Sequence, residues 1–534
     1  MSLPDETAGG IETHPTPPDT DQTELPALGQ RVEQREASRD RTILVALALA
    51  VVLLHILTNS QYGFHRDELL TFDNAHHLAW GYVVYPPLTP FLGRVELELF
   101  GNSLRGFRFF VALAQGLVVL LAGLAARELG GKREAQLVAA LAVAVAGHSL
   151  FSGAFMSYSS FDYLWWVLVA YLVIRLLKSD DPRWWVAIGA ALGLGMMTKY
   201  TMGLLVLGVV GGVLLTPARR YLKSPWLWCG VALAILIVLP NLVWQVQHDF
   251  VSREFLKNIH NRDVRLGSTD YFLPNQLWKC ASPVAVPLWC AGLWFLFAVP
   301  EGKRYRMLGW MYVIPLAVLF ALRGRDYYLA SAYPILIAVG TVRGEQWFGT
   351  LRAGAAASVR QTVWISLATA GLSTTAVTLP MAPINSSWWR FADQVIGGNF
   401  NSQVGWPDMV RIVAGIRDSL PAEERSRVSI LAGDDSEVGA VALYGSLYSL
   451  PRAISGSNSN WYRGYGDPPP EVVIAVGNDP KVLFDNFESC TVAGHLTNPW
   501  GVRNNVFVDY SDVYVCRHLR SPWPEFWKHF RYYG

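Results

Sequence analysis

Long apolar runs recur along the chain between about residue 42 and residue 380, and polar segments separate them. A helix that spans a membrane needs roughly 20 mostly apolar residues. The pattern predicts about eleven such helices, with boundaries good to a few residues. The predicted spans lie at 42–58, 104–126, 134–152, 160–177, 183–198, 200–216, 226–245, 283–300, 305–322, 327–343 and 360–380. The expected fold class is therefore an α-helical polytopic membrane protein.

Basic residues are concentrated in every second connection between the predicted spans. The intervening connections also contain basic residues, but mixed with acids and histidines. Because Lys and Arg are retained on the cytoplasmic side of a membrane, the alternation predicts a cytoplasmic N-terminus and an outer, extracytoplasmic location for everything after residue 380. The basic connections contain Arg31, Arg35, Arg39 and Arg41; Arg127, Lys132 and Arg133; Lys178 and Arg183; Arg219, Arg220 and Lys223; Lys303, Arg304 and Arg306; and Arg343, Arg352 and Arg360.

The two ends of the chain lack this apolar pattern. Residues 1–40 are rich in Pro, Thr, Asp, Glu and Gln, which predicts a disordered cytoplasmic tail. Residues 41–384 are predicted to form the membrane domain, with an outer loop at 59–103. Residues 385–534 alternate β-type runs with a helical stretch, Glu437–Leu447, and predict a soluble outer α/β domain. The β-type runs are Val428–Ala432, Val472–Val476 and Val513–Cys516.

The composition agrees with a membrane protein and narrows its partners. Hydrophobic residues make up 52% of the chain and charged residues 16%, against about 25% charged in an average soluble domain. A net charge of +2 gives no reason to expect a nucleic-acid partner. The chain has no P-loop and no GxGxxG before a helix. Its five cysteines show no metal-ligand spacing, so no cofactor is expected.

The first outer loop concentrates ionisable and aromatic side chains beside the membrane. It contains Asp67, Glu68, His76, His77 and Tyr85, and a Pro-Pro turn follows. Charge at a lipid boundary is costly and marks a functional site by default. Each group also has a structural explanation. The helix dipole favours an acidic pair in a first turn, histidines usually pack or face solvent, and Tyr85 fits an aromatic belt.

Four further groups lie close to the ends of predicted spans on the same face: Asp162, Lys199, Arg325 and His248. Their common face predicts that they line one cavity together with the acids of the first outer loop. Here too the structural alternatives stay open. Asp162 fits a helix cap after two serines, Lys199 fits a side chain that snorkels to the headgroups, and Arg325 fits an interfacial anchor. A divalent metal held by the acids is a further possibility that the sequence does not itself indicate. In the outer domain, Cys490 and Cys516 fit a disulfide or two buried thiols equally well.

Taken in order, these motifs resemble the family 39 glycosyltransferases, which are relatives of the protein O-mannosyltransferases and of the bacterial aminoarabinose lipid A transferases. The resemblance covers roughly residues 42–380, and a weaker match continues in the outer domain. It is carried by Asp67-Glu68, His76-His77-Leu-Ala-Trp80-Gly-Tyr82, Pro86-Pro87-Leu88, Arg108, Phe161-Asp162-Tyr163, Thr198-Lys199-Tyr200, Pro240-Asn241-Leu-Val-Trp244-Gln-Val-Gln-His248 and Arg325-Asp326-Tyr327-Tyr328, and then by Glu437-Val-Gly439-Ala440, Leu450-Pro451 and Ser455-Gly456.

The resemblance implies a GT-C membrane fold and inverting transfer of a sugar from a polyprenyl-phosphate donor. The acceptor is expected to be a lipid, a glycan or a protein outside the cytoplasm. The family's catalytic base is an acidic residue of the first outer loop, which carries onto Asp67, with Glu68 beside it. One departure is Tyr85-Pro86-Pro87, where many bacterial members have His-Pro-Pro. This difference bears on the pocket for the sugar or the acceptor.

The chemistry of such a transfer assigns an expected role to each group. A carboxylate within hydrogen-bond reach takes the acceptor's proton, and we expect this base to be Asp67. Fixed cations stabilise the charge that develops on the departing phosphate. The expected phosphate ligands are Lys199, Arg325, Arg108 and His248, and the expected substrate contacts are Asp162, His76, His77, Tyr85, Tyr327 and Tyr328.

A transporter or flippase of a lipid-linked or anionic substrate is the alternative to a transferase. It too would place charges within the membrane near broken helices. Such proteins often show sequence symmetry between their halves, and this chain shows none.

Overall fold

The membrane part of the chain is helical throughout. The computed structural model describes the backbone of residues 21–504 and 506–534, and the side chains from residue 34 onward. The helices are α1 Asp21–Thr58, α2 Arg66–His76, α3 Leu88–Phe100, α4 Phe109–Glu128, α5 Arg133–Ala144, α6 Gly147–Ser152, α7 Tyr158–Ser179, α8 Trp184–Met196, α9 Met202–Leu215, α10 Pro225–Gln247, α11 Val251–Arg265, α12 Phe272–Asn275, α13 Val286–Ala298, α14 Arg306–Ala321, α15 Tyr333–Phe348 and α16 Ala353–Thr378.

Four of these helices are long and apolar enough to cross a membrane by themselves, and two bent pairs raise the number in the described part of the chain to as many as six. The four are Gln34–Thr58, Gly106–Glu128, Tyr158–Ser179 and Pro225–Gln247. The protein is therefore a multi-pass membrane protein. Other predicted spans fall on shorter helices such as α14, and 360–380 falls on α16, a 26-residue helix that is not among the four, so the total of eleven stays a prediction.

Two sequence expectations in this region need correction. Residues 21–40 belong to α1 and are not a disordered tail, whereas residues 1–20 lie outside the described residues. The predicted span 134–152 is two helices, because Ala146 is extended (φ −67°, ψ 134°) and separates α5 from α6. An extended residue ends the hydrogen-bonded ladder, so 134–152 is not one continuous span.

The outer domain is built around one five-stranded sheet. Its strands are β1 Val428–Ala432, β2 Ala453–Ile454, β3 Val472–Val476, β4 Phe487–His495 and β5 Asp512–Leu519, in the order β2-β1-β3-β5-β4. The pairs β1–β2 and β1–β3 are parallel, and β3–β5 and β4–β5 are antiparallel. Its helices are α17 Ser387–Val395, α18 Trp406–Ser419, α19 Ala422–Arg425, α20 Asp435–Tyr444, α21 Pro480–Asn486 and α22 Trp523–His529.

The sequence located most of this sheet. Each of the three predicted β-type runs lies within a strand, whereas β2 and β4 were not predicted. The predicted helix Glu437–Leu447 is α20, which begins two residues earlier and ends at Tyr444. Cys490 and Cys516 face each other across β4 and β5 and form a disulfide. The structure thus selects the disulfide over two buried thiols.

Helix α20 of the outer domain packs directly on α2, the helix of the first outer loop. Gly439 is the point of closest approach. A Cβ atom at this position would stand 2.2 Å from the backbone oxygen of Leu69, so only glycine lets the two helices come this close. The outer domain and the first outer loop therefore form one continuous packed unit.

Replacing Gly439 by Leu is expected to lower the stability of the protein by about 1–3 kcal/mol, because the added side chain must push α20 away from α2. The measurement is the apparent Tm of the purified full-length protein. Gly415→Leu on α18 is the matched control, since a Cβ atom there meets nothing within 4 Å. Equal Tm values for the two variants would show that the α2–α20 contact has no such close fit.

Candidate active site

A reciprocal capping arrangement sets the start of α2. His65 is the N-cap: its ring nitrogen accepts from the Asp67 N–H (3.2 Å), and the Glu68 carboxylate accepts from the His65 N–H (2.7 Å). Burial lowers the pKa of His65, which keeps the ring neutral and able to accept. Because successive helical residues point about 100° apart, Asp67 and Glu68 face different surroundings.

Glu68 points into the protein and pairs with Arg108. The Arg108 Nε donates to Glu68 Oε1 (2.7 Å) and a terminal nitrogen donates to Oε2 (2.6 Å). The Met156 N–H also donates to Oε1 (2.7 Å). Glu68 is 0% and Arg108 1% exposed, and neither lines the cavity described next. The structure therefore does not support the expectations that Glu68 is catalytic and that Arg108 binds phosphate, because both side chains are buried in this pair and face away from the cavity.

Asp67 faces a cavity of about 220 Å³ at the junction of the membrane helices and the outer domain. Its side chain is 48% exposed. Lys199, Arg325, Tyr85 and Tyr328 line the same cavity. Residues that are far apart in the sequence thus meet at one site, as the sequence predicts. Arg66, Thr71, Tyr158, Arg262, Asp434, Asp435, Ser436, Asn458 and Gly534 also contribute to the lining.

Lys199 is held in an aromatic cage. Its Nζ lies 4.4 Å from the ring centre of Tyr328, 5.2 Å from that of Tyr327 and 5.3 Å from that of Tyr158. It donates to Ser159 Oγ (3.1 Å) and lies 3.9 Å from the buried carboxylate of Asp162. The ring faces and the nearby carboxylate stabilise the ammonium while it is largely removed from water. Asp162 and Tyr327 thus lie behind Lys199 and are not part of the cavity lining.

Arg325 is fixed by a bidentate pair with Asp263 of α11. One terminal nitrogen donates to Asp263 Oδ1 (2.9 Å) and Nε donates to Oδ2 (2.5 Å). The other terminal nitrogen donates to the Tyr327 hydroxyl (3.2 Å). Such a fork holds the guanidinium plane in one orientation. Arg325 therefore lines the cavity as a pre-positioned cation.

Three predicted histidines lie outside the cavity lining. The His76 and His77 rings are exposed and contact the backbone oxygens of Phe72 and Asp73 (2.9 Å each). His248 stacks on Trp244 with 4.0 Å between ring centres. All three follow the packing explanation, because their rings are engaged by neighbours on their own helices.

The sequence suggests that the outer domain helps to bind the acceptor, but it did not identify the residues of that domain that line the cavity. Asp434 and Asp435 stand at the turn from β1 into α20, where Asp434 and Glu437 form a capping box. Burial and the neighbouring Asp434 carboxylate raise the pKa of Asp435 to about 7, against the lowering effect of the Asn458 and Asn460 amides. The Asp-x-x-Glu pattern after a strand was the available signal, but it marks helix starts in general.

The described residues contain no group of three or more His, Cys, Asp or Glu side chains placed to hold a metal ion. The expectation that no metal or other cofactor is required stays a prediction.

Known proteins resemble this chain in sequence. The family model for dolichyl-phosphate-mannose-protein mannosyltransferase matches residues 84–244. The lipid A galacturonosyltransferase RgtD of Rhizobium johnstonii is 24% identical over 300 residues, which is 54% of this chain and 61% of the relative. The undecaprenyl phosphate-alpha-4-amino-4-deoxy-L-arabinose arabinosyl transferase 2 of Pseudomonas fluorescens is 29% identical over 205 residues, 36% of each chain. The chain spans less than two thirds of the length of these curated relatives.

Solved structures extend the similarity to nearly the whole chain. ArnT from Cupriavidus metallidurans bound to undecaprenyl phosphate matches with a TM-score of 0.54 and 18% identity, over 89% of this chain and 97% of that one. The apo form gives a TM-score of 0.53 at 17% identity, over 90% and 98%. At this identity the match establishes a shared fold. Together with the sequence matches it confirms the resemblance: the chain is similar to membrane glycosyltransferases, among them the aminoarabinose transferases.

Proposed function

We propose that this protein is a membrane glycosyltransferase that moves a sugar from a polyprenyl-phosphate donor to a lipid acceptor at the extracytoplasmic face, with inversion at the anomeric carbon. The observation that carries the proposal is the single cavity lined by Asp67, Lys199 and Arg325. The relatives support it, because their names describe transferases of lipid A and of undecaprenyl-phosphate-linked sugar.

Asp67 is the general base in this proposal. The acceptor's hydroxyl or amine attacks the anomeric carbon, and its proton passes to the Asp67 carboxylate as the new bond forms. The bond between the anomeric carbon and the phosphate oxygen breaks, and polyprenyl phosphate leaves with the bonding electron pair. Attack opposite the leaving group in one displacement inverts the configuration. Asp67 fits the role because its side chain is half exposed and lines the cavity.

Lys199 and Arg325 stabilise the departing phosphate. Both cations are held before substrate arrives, Lys199 by its aromatic cage and Arg325 by Asp263. Groups that are already oriented need no rearrangement as negative charge develops, which is where electrostatic catalysis gains most. Arg325 supplies a planar donor face and Lys199 a point charge, two geometries that complement each other around a phosphate.

Two observations support an extracytoplasmic site. The basic connections alternate along the chain in the sense that leaves the outer domain outside the cytoplasm. The Cys490–Cys516 disulfide belongs to an oxidising compartment. A site at the extracytoplasmic membrane surface suits a donor whose prenyl chain stays in the bilayer. The name of RgtD describes a lipid A galacturonosyltransferase, which favours a lipid acceptor.

Replacing Lys199 by Met is expected to lower sugar transfer by about 10²–10³-fold, the usual cost of removing one electrostatic stabiliser of the transition state. The assay uses the full-length protein in lipid nanodiscs with radiolabelled undecaprenyl-phosphate sugar and a membrane lipid extract as acceptor. Methionine keeps the apolar stem against the three tyrosines but leaves the buried Asp162 without its cation, so transfer is expressed per folded molecule and the apparent Tm of the variant is measured alongside it.

Lys178→Met is the matched control. Lys178 is a half-exposed lysine that pairs with Glu128 at the C-terminal end of α7, the end opposite to Asp162. It is expected to transfer at the wild-type rate. Wild-type activity in Lys199→Met would contradict the assigned role of Lys199. Movement of labelled lipid across a sealed bilayer by the wild-type protein, without a new glycosidic bond, would favour the transporter instead.

A further inference from the structure

A largely buried arginine of the outer domain, Arg463, bonds to helix α2 of the first outer loop. Its side chain is 12% exposed and pairs with the Asp73 carboxylate of α2, which is almost fully buried. A second guanidinium nitrogen donates to Asn74 Oδ1 (2.6 Å). Arg463 also donates to Asn460 Oδ1 (2.7 Å) within its own domain. One guanidinium thus bonds to three partners from two parts of the fold.

Both amide partners of Arg463 reach on to the cavity. Asn74 Nδ2 donates to the Tyr85 hydroxyl (2.9 Å), and Asn460 Nδ2 donates to Asp435 Oδ1 (2.8 Å). Tyr85 and Asp435 are both buried residues of the cavity lining, whereas Arg463 itself is not. The network therefore runs without interruption from the membrane-domain wall, through Arg463, to the outer-domain wall.

We propose that Arg463 is a positioning residue that ties these two walls together and sets the spacing of Tyr85 and Asp435 for acceptor binding. The inference rests on the proposed transferase function. A planar guanidinium with several fixed donors can satisfy three acceptors at once, which an ammonium on a flexible stem cannot do in the same geometry. Each amide uses its oxygen for Arg463 and its nitrogen for a cavity residue, so the orientation of Arg463 is transmitted to both walls.

The inference predicts that a change at Arg463 weakens binding of the acceptor but not binding of the donor. In Arg463→Gln, the acceptor KM is expected to rise about tenfold or more. The substitution removes hydrogen bonds from a charged donor, and the free energy of about one such bond is lost from the positioning of the two walls. Binding of undecaprenyl phosphate is expected to change by less than about twofold, because Lys199 and Arg325 have other partners. The protein for this test is the full chain in nanodiscs, with KM and kcat determined separately for donor and acceptor.

Arg463→Lys separates positioning from mere support of the fold. The ammonium can still neutralise Asp73, so the apparent Tm is expected to recover, but it cannot span Asn74 and Asn460, so the acceptor KM is expected to stay high. Recovery of both quantities would overturn the inference. Arg427→Gln is the control, an exposed arginine of the same domain that pairs with Glu471, and it is expected to behave as wild type.

Two further measurements keep the test decisive. If Arg463→Gln does not fold, Asn460→Ser replaces it, because this change cuts the link to Asp435 without unpairing Asp73. An unchanged acceptor KM in a folded variant would overturn the inference. A wild-type protein that transfers no sugar would overturn the proposed function instead. The second measurement is the rate of amide hydrogen exchange in α2. Faster exchange in Arg463→Gln but not in Arg427→Gln supports the proposed network, and the same rate in both variants overturns it.

Discussion

Changing Asp67 to Asn is expected to reduce sugar transfer by about 10²–10⁴-fold, the contribution of a positioned general base. The amide has the size and shape of the carboxylate but cannot take a proton from the acceptor. Asp67 lines the cavity with a half-exposed side chain, and the Thr71 hydroxyl donates to its backbone oxygen rather than to its carboxylate. Loss of the charge is therefore expected to leave the fold and the start of α2 intact.

The measurement is the single-turnover rate of the purified protein with saturating donor, because this isolates the chemical step from product release. Glu98→Gln is a suitable control, since Glu98 is an exposed carboxylate on α3 of the same outer loop. Transfer at the wild-type rate by Asp67→Asn, with normal folding, would remove Asp67 from the role of base.

The sequence predicted a multi-pass helical membrane protein because that signal is local. Apolar runs and alternating basic connections can be counted within a short window. The number of spans was less secure, because a short break such as Ala146 is invisible in an apolar run. The largely buried strands β1 and β3 were found, whereas the two-residue strand β2 and the exposed edge strand β4 were not. An exposed strand lacks the run of apolar residues by which a strand is recognised in a sequence.

The lining of the cavity was predictable only for residues whose charge and position in the sequence already indicate a site. Lys199 and Arg325 were predicted to line the cavity, and both do. The prediction was possible because a charge close to the lipid is costly and therefore usually marks a site. Arg108 met the same criterion but serves Glu68. Nothing in the sequence shows that Arg108, unlike Lys199 and Arg325, lies away from the cavity. The individual residues of the outer-domain wall were not identified, because Asp435 reaches the cavity only through the packing of α20 on α2.

Glu68 is expected to show the opposite behaviour to its neighbour Asp67. Glu68→Gln leaves the Arg108 guanidinium buried without its counter-charge, and breaking a buried pair on one side costs about 3–5 kcal/mol. The Met156 and His65 N–H groups also lose part of a strong acceptor. We therefore expect a large fall in apparent Tm and in the yield of folded protein, measured by thermal unfolding of the detergent-solubilised full chain.

The double variant Glu68→Gln/Arg108→Gln tests the cause of this loss. If the unpaired charge is responsible, removing both charges restores much of the stability, because two neutral amides can bond to each other and to the same backbone groups. The transfer rate per folded molecule is then expected to recover as well, since neither group lines the cavity. A Glu68→Gln variant of normal Tm that transfers no sugar would mean instead that Glu68 takes part in the chemistry. In that case Asp67 and Glu68 would both be catalytic, and the assignment of Asp67 to catalysis and of Glu68 to stability alone would be wrong.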